Sequence, residues 1–197
     1  MYSAQKWFDK FYNRFVQTRR EDRGFGVKVT SGKYTRLMMD WLEDLGEYLE
    51  FKVKRERLTI DQFWEHESKG IIALEHEISA RGIFKKELRN LMDISSDLKV
   101  LITYVYDHQF PWETENISDR IENEMNMKYT RKKYDELLLI IGTKTTRRFQ
   151  GDKRIFMERE SDWYARSFSP RTVRKEIMVP SASRKARKAW RTRQSNH

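Results

Sequence analysis

The sequence contains no cysteine, which excludes disulfides and thiolate metal sites and leaves the redox compartment open. It holds no apolar run of the roughly 18 residues or more that a transmembrane helix needs, and none is expected. The opening residues, MYSAQKWFDKFYNRF, mix aromatic and charged side chains throughout. That does not suit a secretory signal, and the cytoplasm is the expected compartment. A glycine-rich phosphate loop is also missing: Gly24-Phe25-Gly26 lacks the lysine and the strand-to-helix setting. No serine stands in a G-x-S-x-G elbow. Nucleotide-dependent and serine-nucleophile chemistries therefore have little support. Histidine is scarce: His66, His76, His108 and His197 include no pair at helical i, i+4 spacing, so a histidine zinc site is disfavoured.

What is present supports a folded core. Of 197 residues, 38% are apolar and 13% aromatic, enough for one compact domain plus an appendage. Net charge is +10, unevenly spread. Residues 171–197 hold nine Lys or Arg against Glu176 alone, a charge of +8, which leaves +2 for residues 1–170. A basic tail on a nearly neutral domain points to a polyanion partner, nucleic acid above all. Arg184, Lys185, Arg187, Lys188, Arg191 and Arg193 are its candidate contacts. The plainer alternative is a solubilising tail.

Trp7, Phe8, Phe11, Tyr12, Phe15 and Val16 recur at helical spacing, predicting a helix over 3–20 with an aromatic face, either core or a docking seam. Thr30-Ser31-Gly32 offers caps for a helix over 33–49, with an apolar stripe through Tyr34, Met38, Trp41 and Leu45. Phe51 to Arg57 alternates like a strand. A helix over 79–93 carries Ile83, Phe84, Leu88, Leu91 and Met92 on one side and Lys85, Lys86 and Arg89 on the other. Leu98–Tyr106 and Leu137–Thr143 are almost continuously apolar, as strands buried on both faces are. With a helix over 116–136 between them, they form a crossover unit and run parallel. Residues 154–160 read as an edge strand, paired with 162–168. Three regions result: residues 1–32, an aromatic helix and linker; residues 33–170, an α/β domain; and residues 171–197, a basic and flexible tail.

The most informative stretch is Thr59 to Glu77. It reads as two short strands joined by a turn at Lys69-Gly70. Alternation puts Asp61, Phe63 and Glu65 on one face of the first strand, and Glu75 and Glu77 on one face of the second. Three carboxylates, Asp61, Glu75 and Glu77, are thereby expected to converge within metal-bridging reach. His76 points the other way and reads as a packed, neutral side chain. The plain reading of the acidic pattern is the solvated face of an antiparallel sheet. Asp61 would then pair with Arg57 or Lys69 as a weak surface ion pair.

A helix, a three-strand meander, a helix and a strand, with Asp61 on the second strand and Glu75-His76-Glu77 on the third, resembles the αβββαβ core of the PD-(D/E)XK, restriction-endonuclease-like nuclease superfamily. The resemblance spans about Tyr34 to Tyr106. It implies a mixed central sheet flanked by helices and hydrolysis of phosphodiester bonds with Mg²⁺ or Mn²⁺. Asp61, Glu75 and Glu77 would be the metal and catalytic residues, and Glu43 or Glu47 of the preceding helix a further ligand. Two departures stand out. Ile60, not proline, precedes Asp61, and Glu77 occupies the place of the lysine. Lys85, Lys86 or Arg89 would then supply the basic group. A hard cation lowers the pKa of its water and neutralises charge on the phosphate. Oxygen ligands suit it, and two or three carboxylates suffice. The expected function is a metal-dependent nuclease acting on DNA. The alternatives are a nuclease-like fold that binds nucleic acid without cutting, or a protein-interaction module, a homodimer included, that uses the Trp7–Phe15 face.

Overall fold

The computed structural model describes residues 3–20, 29–57, 60–79, 82–106, 109, 112–128, 136–148, 154–158, 163–169 and 172–176. Helix α1 is Ala4–Arg20, strand β1 is Val29–Thr30 and helix α2 is Ser31–Tyr48. A meander follows: β2 Lys52–Arg57, β3 Ile60–His66 and β4 Gly70–Glu77. A π-helical turn, Ile83–Glu87, runs into α3, Leu88–Asp93, and then come β5, Leu98–Tyr106, and α4, Trp112–Lys128. The chain continues through β6 Glu136–Arg148, β7 Arg154–Glu158, β8 Tyr164–Ser169 and β9 Thr172–Glu176.

These strands form one mixed sheet flanked by helices. Its order is β1-β7-β6-β5-β4-β3-β2, with β8 also on β6 and β9 on β8. The centre is parallel, with Glu75 beside Leu101 and Leu101 beside Leu139. β5 and β6 carry the expected apolar runs: Val100, Leu101, Ile102, Leu138, Leu139 and Ile140 are all inaccessible to solvent. The reversal between β3 and β4 needs Gly70, whose φ of 95° lies in the left-handed region.

Three expectations change. Residues 154–160 were expected to pair with 162–168. Instead β7 pairs with the outer half of β6 and β8 with its inner half, because β6 runs for 13 residues and both later segments fold back on it. The helix expected over 116–136 begins earlier, at Trp112, where Glu113 and Glu115 occupy its first turn and favour its N-terminal dipole. Residues 129–135 lie outside the described residues. The helix over 79–93 opens with a π turn rather than an α turn.

The first face of the sheet carries α1 and α2. Trp7, Phe8, Phe11 and Phe15 are fully buried there, so the aromatic stripe of α1 is consumed by the chain's own core. Phe11 and Phe15 stand edge-on to Trp163 at 5.3 and 5.2 Å, and Phe15 edge-on to Trp41 at 5.5 Å, arrangements aromatic rings favour. This corrects the reading of that stripe as a docking seam: a partner would have to displace the core to reach it. The segment set apart as residues 1–32 thus contributes α1 to the same hydrophobic unit as the sheet. Glu136 at the start of β6 accepts from the Ala4 N–H at 2.8 Å, a carboxylate on a helix N-terminus.

The second face carries the π turn, α3 and α4. Phe63, Ala73, Leu101, Leu139 and Ile141 meet Ile83, Leu88, Leu91, Ile117 and Ile121. Arg166 of β8 ties α4 down through Ser118 and Glu122. Among the described residues no helix is long and apolar enough to cross a membrane.

Candidate functional site

Alternation along β3 and β4 places Asp61 and Glu75 on the second face, one strand apart, under the π turn. The regular β3–β4 pairing ends at Gln62–Leu74. One residue further on, the Asp61 carboxylate takes over and accepts from the His76 N–H at 2.8 Å. Glu75 in turn hydrogen-bonds to Asp61. Two carboxyl groups from neighbouring strands are thus brought together.

Glu75 is only 3% exposed. Burial, then the charge of Asp61 and the hydrogen bond to it, then the charge of Glu87 push its pKa up to about 9, opposed by the Asp61 backbone N–H. Desolvation disfavours the charged carboxylate and a like charge adds to the penalty. Near neutral pH Glu75 therefore holds a proton between itself and Asp61. One Glu75 oxygen, Oε1, is buried with no partner, and so is Oε2 of Glu87 on the π turn. On the same sheet face, Thr103 Oγ1 of β5 and Thr143 Oγ1 of β6 are also buried without partners.

Glu77 does not join the pair. It lies at the end of β4, where Oε1 accepts from the Ser79 N–H at 2.7 Å and closes a local turn. Its carboxyl packs so closely on Gly82 that a Cβ there would fall 2.6 Å from Glu77 Cδ. The expected convergence of three is thus corrected to two. Among the described residues, no group of three or more His, Asp or Glu is arranged to hold a metal ion. Asp61 and Glu75 still offer oxygen donors of the kind a hard cation takes, and the unpartnered Glu75 Oε1 fits that use.

The other sequence candidates are placed elsewhere. Glu43 forms an ion pair with Arg55 of β2, which also holds Asp40 at 2.7 Å. Glu47 is exposed. Both belong to α2, which packs on the first face, across the sheet from Asp61 and Glu75. Lys86 and Arg89 are exposed, and the side chain of Lys85 lies outside the described residues. So do Arg184, Lys185, Arg187, Lys188, Arg191 and Arg193.

His76 is buried on the first face. Its Nε2 lies 3.3 Å from the Tyr104 hydroxyl, which lies 3.2 Å from that of Tyr34. Burial drives its pKa down to about 3, so it is neutral, as its sequence position implied.

Two residues escaped the sequence reading. Lys144 of β6 is buried and donates to the Ile78 carbonyl. Its ammonium lies 5.0 Å from the centre of the Tyr106 ring. Burial lowers its pKa to about 8, with Glu77 pulling it back up. It is the cation nearest the predicted triplet in electrostatic effect, and it comes from a strand 67 positions after Glu77. The other is Glu87. Its signal was present: it interrupts the stripe Ile83, Phe84, Leu88, Leu91 with a charge on the apolar side.

Comparison with protein-family models, with curated proteins and with solved structures finds no match to this chain.

Proposed function

We propose that this protein is a metal-dependent nuclease whose centre is the Asp61–Glu75 pair, with nucleic acid, DNA foremost, as its substrate. One observation carries the reading: two carboxyls from adjacent strands meet in a buried place and leave Glu75 Oε1 without a partner. The element order α2-β2-β3-β4-α3-β5 supports it, because it follows the order in the restriction-endonuclease-like core that the sequence resembles. The +8 charge of residues 171–197 supports it too, since phosphate contacts give affinity without sequence choice.

Mg²⁺ or Mn²⁺, when bound, would supply an acidified water and charge neutralisation at the phosphate. Asp61 and Glu75 would be its protein ligands, and the His76 N–H fixes the Asp61 carboxylate for that role. A second reading, binding without cleavage, draws on Glu77 in the lysine position and on the commitment of Lys144 to the Ile78 carbonyl.

The test is nicking of plasmid and single-stranded DNA by the wild type and by Glu75→Ala, with Mg²⁺, with Mn²⁺ and with chelator. Cleavage by the wild type alone, abolished by chelator, is the expected outcome. Equal nicking by both proteins would remove Glu75 from the chemistry. Salt-sensitive binding with no cleavage by either would select the second reading.

A further inference from the structure

Glu87 occupies the last position of the π turn, which is closed by the Leu88 N–H donating to the Ile83 carbonyl five residues back. At ordinary α-helical spacing, two residues five apart would point about 140° apart. The wider turn brings them round instead: Ile83 is fully buried and Leu88 nearly so, both in the core of the second face. The residue between them in register, Glu87, is carried against the sheet by the same distortion. Single π turns inside helices recur at functional sites. This one is held down by Leu91 and Met92, which are buried behind it. In front, Arg120 of α4 stacks on Phe84 at 3.9 Å.

The consequence is an acidic side chain under a helix with no cation to meet it. Glu87 Oε2 is buried and without a partner, and it lies close enough for its charge to act on Glu75. Glu75, itself 3% exposed, directs a second unpartnered carboxyl oxygen into the same layer. Thr103, fully buried one strand over on that face, adds an unpartnered hydroxyl. A structural role would have given these groups donors, since buried polar atoms are otherwise satisfied.

We propose that Glu87, delivered by the π turn, is the third acidic residue of a divalent-cation site whose other members are Asp61 and Glu75, in the place that Glu77 was expected to fill. The proposal rests on the reading of Asp61 and Glu75 as ligands. In the structure the three carboxyls are not gathered into a ready ligand set, so cation binding is expected to draw the turn inward.

Mn²⁺ titration of the full chain, followed by calorimetry and by the electron paramagnetic resonance signal of free Mn²⁺, tests this. The comparison is between wild type, Glu87→Gln, Glu75→Gln and Glu115→Gln, the last an exposed acidic residue of α4. Loss of one ligand charge from such a site is expected to weaken Mn²⁺ binding about tenfold or more in Glu87→Gln, with Glu115→Gln unchanged. Melting temperatures in chelator check the fold. Glu87→Gln should melt no lower than the wild type there, yet gain less from added Mn²⁺. Wild-type affinity in Glu87→Gln, with binding lost in Glu75→Gln, overturns the role of Glu87 and leaves the pair standing. No Mn²⁺ binding by the wild type overturns both. Mn²⁺ binding weakened by Glu87→Gln, in a protein that nicks no DNA, supports the site and removes only the hydrolytic reading.

Discussion

Against one face of the sheet lie Trp7, Phe11, Phe15 and Trp41; against the other lie Glu75, Glu87 and Thr103 beside aliphatic side chains. Both layers are buried, but they bury different chemistry. On the first face the rings meet in stacked and edge-on pairs, and the indole of Trp41 donates to Thr18 Oγ1 at 3.0 Å. Unpartnered atoms there are neutral ring nitrogens, those of Trp7, Trp163 and His76. On the second face, the unpartnered atoms include oxygens of two carboxyl groups, which are far costlier to bury without partners. A chain that satisfies one layer and leaves acids stranded in the other has placed its stability on the first and its chemistry on the second.

The largest effect that would break this contrast lies on the first face. Trp64 is fully buried, 5.7 Å from Trp7 and 5.9 Å from Phe51, and donates to Gln62 Oε1 at 2.8 Å. Trp64→Ala is expected to cost about 3–5 kcal/mol in denaturant unfolding; a loss below about 1 kcal/mol would mean this layer is not the stabilising one. Next comes Gly46, where α2 touches the sheet. A Cβ there would lie 2.4 Å from Val53 Cγ2 and 3.0 Å from Trp64. Gly46→Ala should therefore destabilise by about 1–3 kcal/mol through overpacking, even though alanine favours helix.

On the second face the sign reverses. In chelator, Glu75→Gln is expected to stabilise by about 1–2 kcal/mol, as changes at functional sites often do. The gain should depend on pH. In the unfolded chain Glu75 releases its proton near its usual value of 4.5, and in the folded chain only near 9. Between those values the unfolded state binds fewer protons, so the wild type loses stability as pH rises. The advantage of Glu75→Gln in thermal melts should widen from about pH 4.5 to about 9. A gap that stays constant with pH would show that Glu75 is not held protonated. His76 works in the opposite sense: its pKa is depressed to about 3 from 6.5, so its contribution is present above 6.5 and is lost as pH falls toward 3. The smallest effect concerns Glu43. Glu43→Gln removes one partner of a half-exposed ion pair with Arg55, so its cost should stay within about 1 kcal/mol. Mn²⁺ affinity should not change, and a drop would bring α2 into the site.

Much of this contrast was legible in the residue order. Leu98–Tyr106 declared itself because nine residues with almost no polar break can only be a strand buried on both sides. The Asp61–Glu75 meeting followed from alternation on two strands joined at Gly70. What alternation does not encode is where a strand stops. Glu77 obeys the same parity as Glu75, yet at the last residue of β4 it bends to the Ser79 N–H instead. Glu87 was hidden because α-helical periodicity was assumed across a turn that is not α-helical. The far half of β6 was hidden because Lys144-Thr145-Thr146-Arg147-Arg148 has no apolar alternation to announce it.

That long strand has a consequence for biosynthesis. Its outer side is completed only by segments made after it, and Trp163, which wedges between Phe11 and Phe15, is made later still. A nascent chain that has emerged only as far as β6 carries Leu137 to Ile141 with half its hydrogen-bonding edge open and the greasy side of its first helix uncovered. Such an edge invites pairing with another chain. The interval between synthesis of β6 and of β8 is therefore when this protein is most exposed to aggregation on the ribosome, and when a chaperone holding the first helix would help it most.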